Sequence, residues 1–371
     1  MSQTASLPPS PSSRHRLVSI QVCRGLAAIF VVLAHLHNVE LKYFPTNMMG
    51  IFQYGVLGVD LFFVISGIVI SAVTVGRFSN RRYAGTFLYH RLARIFPVYW
   101  VYTAIVLVAF LYNPLWINAG AGHRVNILAS FLLIPTNLGM LVMQGWTLSF
   151  ELYFYFVFFL LLFFAPEKNA PFFLTFWGVF IAIAALMPVP VQPILGLITS
   201  PSVFEFLAGC LIFHLYRRGV LWPKGGFVLI TVAFIWLGTL MAWSRHSHGS
   251  NQIWIEHFPW IRLGLYGSFS SIFLLGIMEL ERSGFIRFVR PLSLIGDWSY
   301  SIYLSHLIVI ELVGRIIFHF AVYPKFAMVV VDGVALPLVL LVGYLSYTLL
   351  ERPLINLLNK KPAKTLAHSV S

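Results

Sequence analysis

An arginine and a histidine share one apolar run near the start of this chain, Arg24-Gly-Leu-Ala-Ala-Ile-Phe-Val-Val-Leu-Ala-His35. On an α-helix, eleven positions fall about 20° from three full turns, so both side chains occupy one face, about 16.5 Å apart along the axis. Histidine is the side chain best suited to taking and returning a proton near neutral pH. The plainer readings are an arginine that snorkels to a membrane interface and a histidine bonded to a helix-end carbonyl.

Other chemically capable residues follow the same habit. Gly58-Val-Asp60-Leu-Phe-Phe-Val-Ile-Ser66-Gly67 sets a carboxylate and a hydroxyl in an apolar stretch. Asp60 can orient the His35 imidazole or pair with Arg24, in the way carboxylates orient catalytic histidines; a structural ion pair with an arginine is the alternative. In His90-Arg91-Leu-Ala-Arg94-Ile-Phe-Pro97 the two arginines share a helical face at i,i+3. Such a pair can grip phosphate with forked hydrogen bonds, although cytoplasmic loops are basic in any case. Glu151 lies about one turn into an apolar helix that opens Trp146-Thr-Leu-Ser-Phe-Glu151. Ser299, Tyr303 and His306 line one face at i, i+4 and i+7; they fit a polar cavity or ordinary interhelical bonding. Glu205 and Asp332 are further acids within apolar runs. Each ionisable group so placed costs about 2.5 to 3.5 kcal/mol on insertion and usually faces a cavity or a partner.

The elements that must hold these groups are membrane helices. Of 371 residues, 59% are hydrophobic and only 10% charged, with 34 phenylalanines. A soluble protein carries about 25% charged residues. Soluble enzymes, nucleic-acid-binding proteins and disordered chains are thereby excluded as classes. Ten apolar segments are expected near 18–37, 55–75, 95–113, 147–165, 171–188, 203–216, 226–243, 263–280, 293–318 and 328–350. The region 125–146, interrupted by Pro135, Asn137 and Gly139, reads as a re-entrant or interfacial helix, with a second crossing as the alternative. The expected fold is all-α, a polytopic bundle of about ten transmembrane helices.

With both termini cytoplasmic, 19 of the 25 lysines and arginines fall on the inner side, the asymmetry that sets membrane orientation. The +13 net charge is thus an orientation signal. The chain divides into a disordered tail (1–16), a membrane domain (17–355) and a short basic tail (356–371). The first apolar run lacks a cleavage pattern and reads as a retained span. Cys23 and Cys210 have neither disulfide nor metal-ligand spacing, and no metal is expected.

These motifs, in this order, resemble the acyltransferase-3 family of integral membrane acyltransferases over about residues 17 to 355. They are Arg24-x10-His35, the Gly58–Gly67 segment, His90-Arg91-Leu-Ala-Arg94-Ile-Phe-Pro97-Val-Tyr99, Trp146-Thr-Leu-Ser-Phe-Glu151, Ser299-Tyr300-Ser-Ile-Tyr303-Leu-Ser-His306 and Glu351-Arg352-Pro353. The resemblance implies transfer of an acyl group, usually acetyl from acetyl-CoA, to a hydroxyl of a carbohydrate or lipid-linked carbohydrate. It is similar to bacterial inner-membrane enzymes that acetylate exopolysaccharide or O-antigen. It implies a catalytic role for His35 with the motif arginine Arg24, and CoA phosphates at Arg91 and Arg94. The family's fourth-span motif commonly carries two consecutive acids, whereas here Glu151 is followed by Leu152.

Ester formation from a thioester needs a base for the attacking hydroxyl and a donor for the developing oxyanion. His35 fits the first, with Asp60 and Glu151 as supporting acids. Arg24, Ser66 and Tyr303 compete for the second. Direct transfer and a covalent acyl-histidine are both open, as is succinyl in place of acetyl. A sugar transporter or flippase would use the same polar interior as a path, but no paired broken helices point that way.

Overall fold

The computed structural model describes residues 17–43, 50–117, 122–187, 192–219, 224–248, 259–287, 290–320 and 324–359. The tails at 1–16 and 360–371 lie outside them. Among the described residues the protein is helical, with one isolated bridge, Val125 to Gly139, and no strand. That is what a lipid solvent demands, because helices satisfy their own backbone polar groups.

The helices are α1 (Val18–Tyr43), α2 (Leu57–Thr74), α3 (Arg81–Tyr112), α4 (Ile127–Leu132), α5 (Gly145–Phe164), α6 (Ala170–Ala184), α7 (Pro193–Ile198), α8 (Val203–Arg218) and α9 (Gly225–His248). Next comes α10 (Pro259–Arg282), which carries a π-turn at Leu263–Gly267. The last three are α11 (Arg290–Phe320), α12 (Pro324–Ser346) and α13 (Arg352–Leu358), with a π-turn at Tyr347–Glu351 before α13. Nine helical stretches among the described residues are long and apolar enough to cross a membrane. The expected segment 171–188 is helical over only 15 residues, Ala170–Ala184, short of the roughly 20 that span a bilayer upright. At the other end, helix α13 runs three residues into the stretch read as a basic tail.

Region 125–146 makes no second crossing. Asn126 caps α4 by accepting from the Ala129 N–H at 3.0 Å, and Leu133 ends it in the left-handed conformation at φ 56°. The segment is then tied to its neighbours. Tyr99 donates to the Ser130 carbonyl at 2.7 Å, Trp100 to that of Phe131 at 2.9 Å, and Ser149 to that of Leu133 at 2.7 Å. These bonds suit the re-entrant and the interfacial readings alike.

Helix α1 is the centre of the site-bearing half, packed against α2, α11 and α12. Glu281 of α10 caps its start, accepting from the Val18 N–H at 3.1 Å, the Ser19 N–H at 3.2 Å and the Ser19 hydroxyl. Its crossing with α11 depends on Gly296, where an added methyl would sit 1.8 Å from the Gln21 carbonyl oxygen. Helices α2 and α8 cross as closely at Gly67, where a methyl would sit 2.1 Å from the Phe206 carbonyl oxygen. Small residues of this kind let helix backbones approach in a membrane, where association depends on packing. Three buried apolar clusters result, and Phe62 of α2 packs against all three.

Candidate active site

Five helices close around a cavity of about 90 Å³. Arg24 of α1, Ser66 of α2, Arg91 and Arg94 of α3, Glu151 of α5, and Ser299 and Tyr303 of α11 all line it. Seven of the residues singled out in the sequence thus meet at one place, drawn from positions up to 279 residues apart. Phe62, Thr147, Tyr155 and Tyr300 complete much of the wall.

The cationic side of the cavity is not neutralised by contact. Arg24 donates to the Ser299 hydroxyl at 3.0 Å and to Gln21 Oε1 at 3.4 Å. Arg91 lies against the rings of Phe87 and Tyr155, each centroid 5.4 Å away. Among the described residues neither Arg91 nor Arg94 makes a hydrogen bond or an ion pair. The nearby acids are engaged elsewhere. Glu151 accepts from the Tyr155 hydroxyl and, at 3.5 Å, from Ser66. Glu351, 2% exposed, accepts from Ser301 at 2.6 Å. The guanidinium donors of Arg91 and Arg94 therefore stay available for an anion, which arginine binds through its planar fork.

His35 and His306 do not line this cavity. They face each other behind Tyr303, with ring centroids 5.1 Å apart and planes at 41°. The Tyr303 ring lies 5.7 Å from His306 and 5.9 Å from Phe62. Arg24 and His35 thus both turn toward α11, as their spacing requires, yet only Arg24 lines the cavity. The Tyr303 hydroxyl is fixed by Thr147 at 2.6 Å.

Asp60 pairs with neither His35 nor Arg24. Arg262 of α10 takes both of its oxygens, Nε to Oδ1 at 3.0 Å and Nη2 to Oδ2 at 2.9 Å. Glu205, 2% exposed, neighbours the same carboxylate, and Asp332 neighbours Glu40 near the C-terminal end of α1. The sequence reading missed Arg262, Gln144 and Phe62. Arg262 looks like an interfacial anchor at a helix end. Gln144 precedes the Trp146 motif and carries no signal of its own, yet it donates to the Tyr303 and Leu304 carbonyls at 3.1 and 3.0 Å. Among the described residues no group of His, Cys, Asp and Glu side chains could hold a metal ion.

Comparison with known proteins adds the family. The family described as an acyltransferase domain matches residues 17–349. The chain is 31% identical over 316 residues to the exopolysaccharide production protein ExoZ of Rhizobium meliloti (strain 1021), covering 82% of this chain and 90% of that relative. No solved structure matches it significantly. With a family match over nearly the whole membrane domain and a near-full-length relative, the chain belongs to the acyltransferase-3 family of membrane acyltransferases.

Proposed function

We propose that this protein moves an acetyl group from acetyl-CoA to a hydroxyl of an exopolysaccharide or its lipid-linked precursor, at the inner membrane of a bacterium. The observation that carries the proposal is the pair Arg91 and Arg94, which make no hydrogen bond or ion pair among the described residues, on the wall of a cavity that also holds Arg24. Acetyl-CoA is a polyanion with a slim thioester arm. Its phosphates meet the arginines of α3 at the cytoplasmic end, and its arm follows the cavity toward Tyr303. The exopolysaccharide assignment draws on the name of the Rhizobium relative.

The reaction balances without a further reagent. A bare nitrogen of His35 takes the proton of the acceptor hydroxyl as that oxygen attacks the thioester carbon. The oxyanion so formed receives a hydrogen bond from Tyr303, the candidate donor that stands beside the histidine pair. It collapses with cleavage of the carbon–sulfur bond, and the sulfur takes the proton back from His35. Ester and free CoA are the products. Tyr303 and Phe62 stand between the cavity and His35, so the thioester passes these rings before transfer.

The test is purified protein in nanodiscs given labelled acetyl-CoA and isolated polysaccharide. The expected result is acceptor labelling with equimolar CoA release, both abolished by His35→Ala in a protein that still inserts. Sugar flux without CoA release would replace the proposal with transport.

A further inference from the structure

We infer that His306 is a positioning residue for His35, its Nε2 accepting the N–H of the His35 ring and so presenting the opposite His35 nitrogen as a bare base. The inference rests on His35 being the base, as proposed above.

The tautomer of His306 follows from its partner. Its Nδ1 lies 2.7 Å from the Tyr303 carbonyl oxygen. A carbonyl only accepts, so Nδ1 carries the hydrogen. In the neutral ring this leaves Nε2 as an acceptor. That atom is buried in a side chain 0% exposed, and it has no partner among the described residues. A buried acceptor left bare is costly and marks a place where a donor belongs. The neighbouring ring is His35, which itself makes no hydrogen bond to the described protein.

The usual orienting group for a catalytic imidazole is a carboxylate. The acid that the sequence offered for that role, Asp60, is committed to Arg262, and Glu151 accepts from Tyr155. An imidazole acceptor serves the same geometric purpose without a buried negative charge, which a bilayer interior penalises. When His35 takes the hydroxyl proton, its bond to Nε2 becomes charge-assisted and stronger. The stabilisation thus grows as the transition state is approached, which is what accelerates a reaction. No proton needs to move to His306. The surrounding bonds suit a fixed ring. Gln144 donates to the same Tyr303 carbonyl and to that of Leu304, at 3.1 and 3.0 Å, and Thr147 holds the Tyr303 hydroxyl at 2.6 Å.

The experiment compares H35A, H306L and H306Q in acetyl-CoA-dependent transfer, with melting temperature recorded for each. Glutamine places a carbonyl oxygen where Nε2 was; leucine offers volume without an acceptor. The expected result is a fall in kcat of about 100-fold for H306L, in the range for acid–base groups, with the acetyl-CoA KM held within about threefold and the binding step spared. H306Q should recover at least about tenfold of that loss, as restoring an acceptor requires. Equal impairment of H306L and H306Q, or an unimpaired H306L, overturns the inference. Retained turnover in H35A overturns the base assignment instead, so the two failures are distinct. Should H306L not fold, nitrogen-15 spectra of histidine-labelled protein, wild type minus H306Q, decide. They must show Nδ1 protonated and Nε2 bare in His306, and the reverse tautomer overturns the inference.

Discussion

Asp60 and Arg262 meet through two parallel hydrogen bonds, at 3.0 and 2.9 Å, with the Asp60 side chain 1% and that of Arg262 15% exposed. This links the first turn of α2 to the start of α10 and removes Asp60 from the reach of either histidine. Breaking one side of such a buried pair leaves an unmatched charge and costs about 3 to 5 kcal/mol. D60A and R262A should each lower the melting temperature sharply, and the double variant should regain part of the loss. A D60A protein of wild-type stability that has lost transfer would instead make Asp60 a catalytic group.

Arg91 and Arg94 predict a different signature. Each charge-assisted hydrogen bond to phosphate contributes about 1.5 to 3 kcal/mol, so R91A or R94A should raise the acetyl-CoA KM by roughly tenfold or more. Melting temperature should barely move, because neither guanidinium holds a protein partner by hydrogen bond or ion pair among the described residues. Competition by free CoA should weaken in parallel. An unchanged KM in both variants would place the anionic part of the donor elsewhere.

How far the sequence could be read depended on whether the information was local. Arg24 and His35 share a helix, and their spacing alone put them on one face, as the structure has it. Ser299 and Tyr303 reached the cavity for the same reason. His306 is on that face too, but three residues carry it about 4.5 Å along the axis, enough to place it behind the Tyr303 ring. The partner of Asp60 was illegible because it lies 202 residues away, and nothing in a single sequence aligns α2 with α10. The crossing at 171–188 was read from hydropathy, which reports apolarity but not where a helix stops; it ends at Ala184.

Gly296 sets the distance between α1 and α11, and with it the bond from Arg24 to Ser299. A methyl there would lie 1.8 Å from the Gln21 carbonyl oxygen, a backbone atom that cannot swing aside. G296A should therefore push the helices apart and destabilise by at least the roughly 1 to 3 kcal/mol typical of overpacking. Transfer should fall with it as the cavity and the histidine pair lose register. G85A, on α3 with nothing within 4 Å of its added methyl, is the matched control and should behave as wild type. Equal melting curves for the two variants would refute the assigned role of this crossing.

Phe62 meets Tyr303 edge-on at 5.9 Å and 69°, lines the cavity and packs on all three buried clusters. Tyr303 in turn lies 5.7 Å from the His306 ring. On the proposed function, these rings keep water from the thioester until an acceptor is present, as closed active sites commonly do. Phe62→Ala would leave a void in the cavity wall beside Tyr303, since surrounding side chains collapse only in part into such gaps. The expected outcome is a rise of about threefold or more in acceptor-free acetyl-CoA hydrolysis relative to transfer, as exclusion of water is lost. Phe62→Leu, which retains most of the volume, should fall between the variant and wild type. A constant hydrolysis-to-transfer ratio across the three proteins would show that Phe62 does not exclude water from the donor.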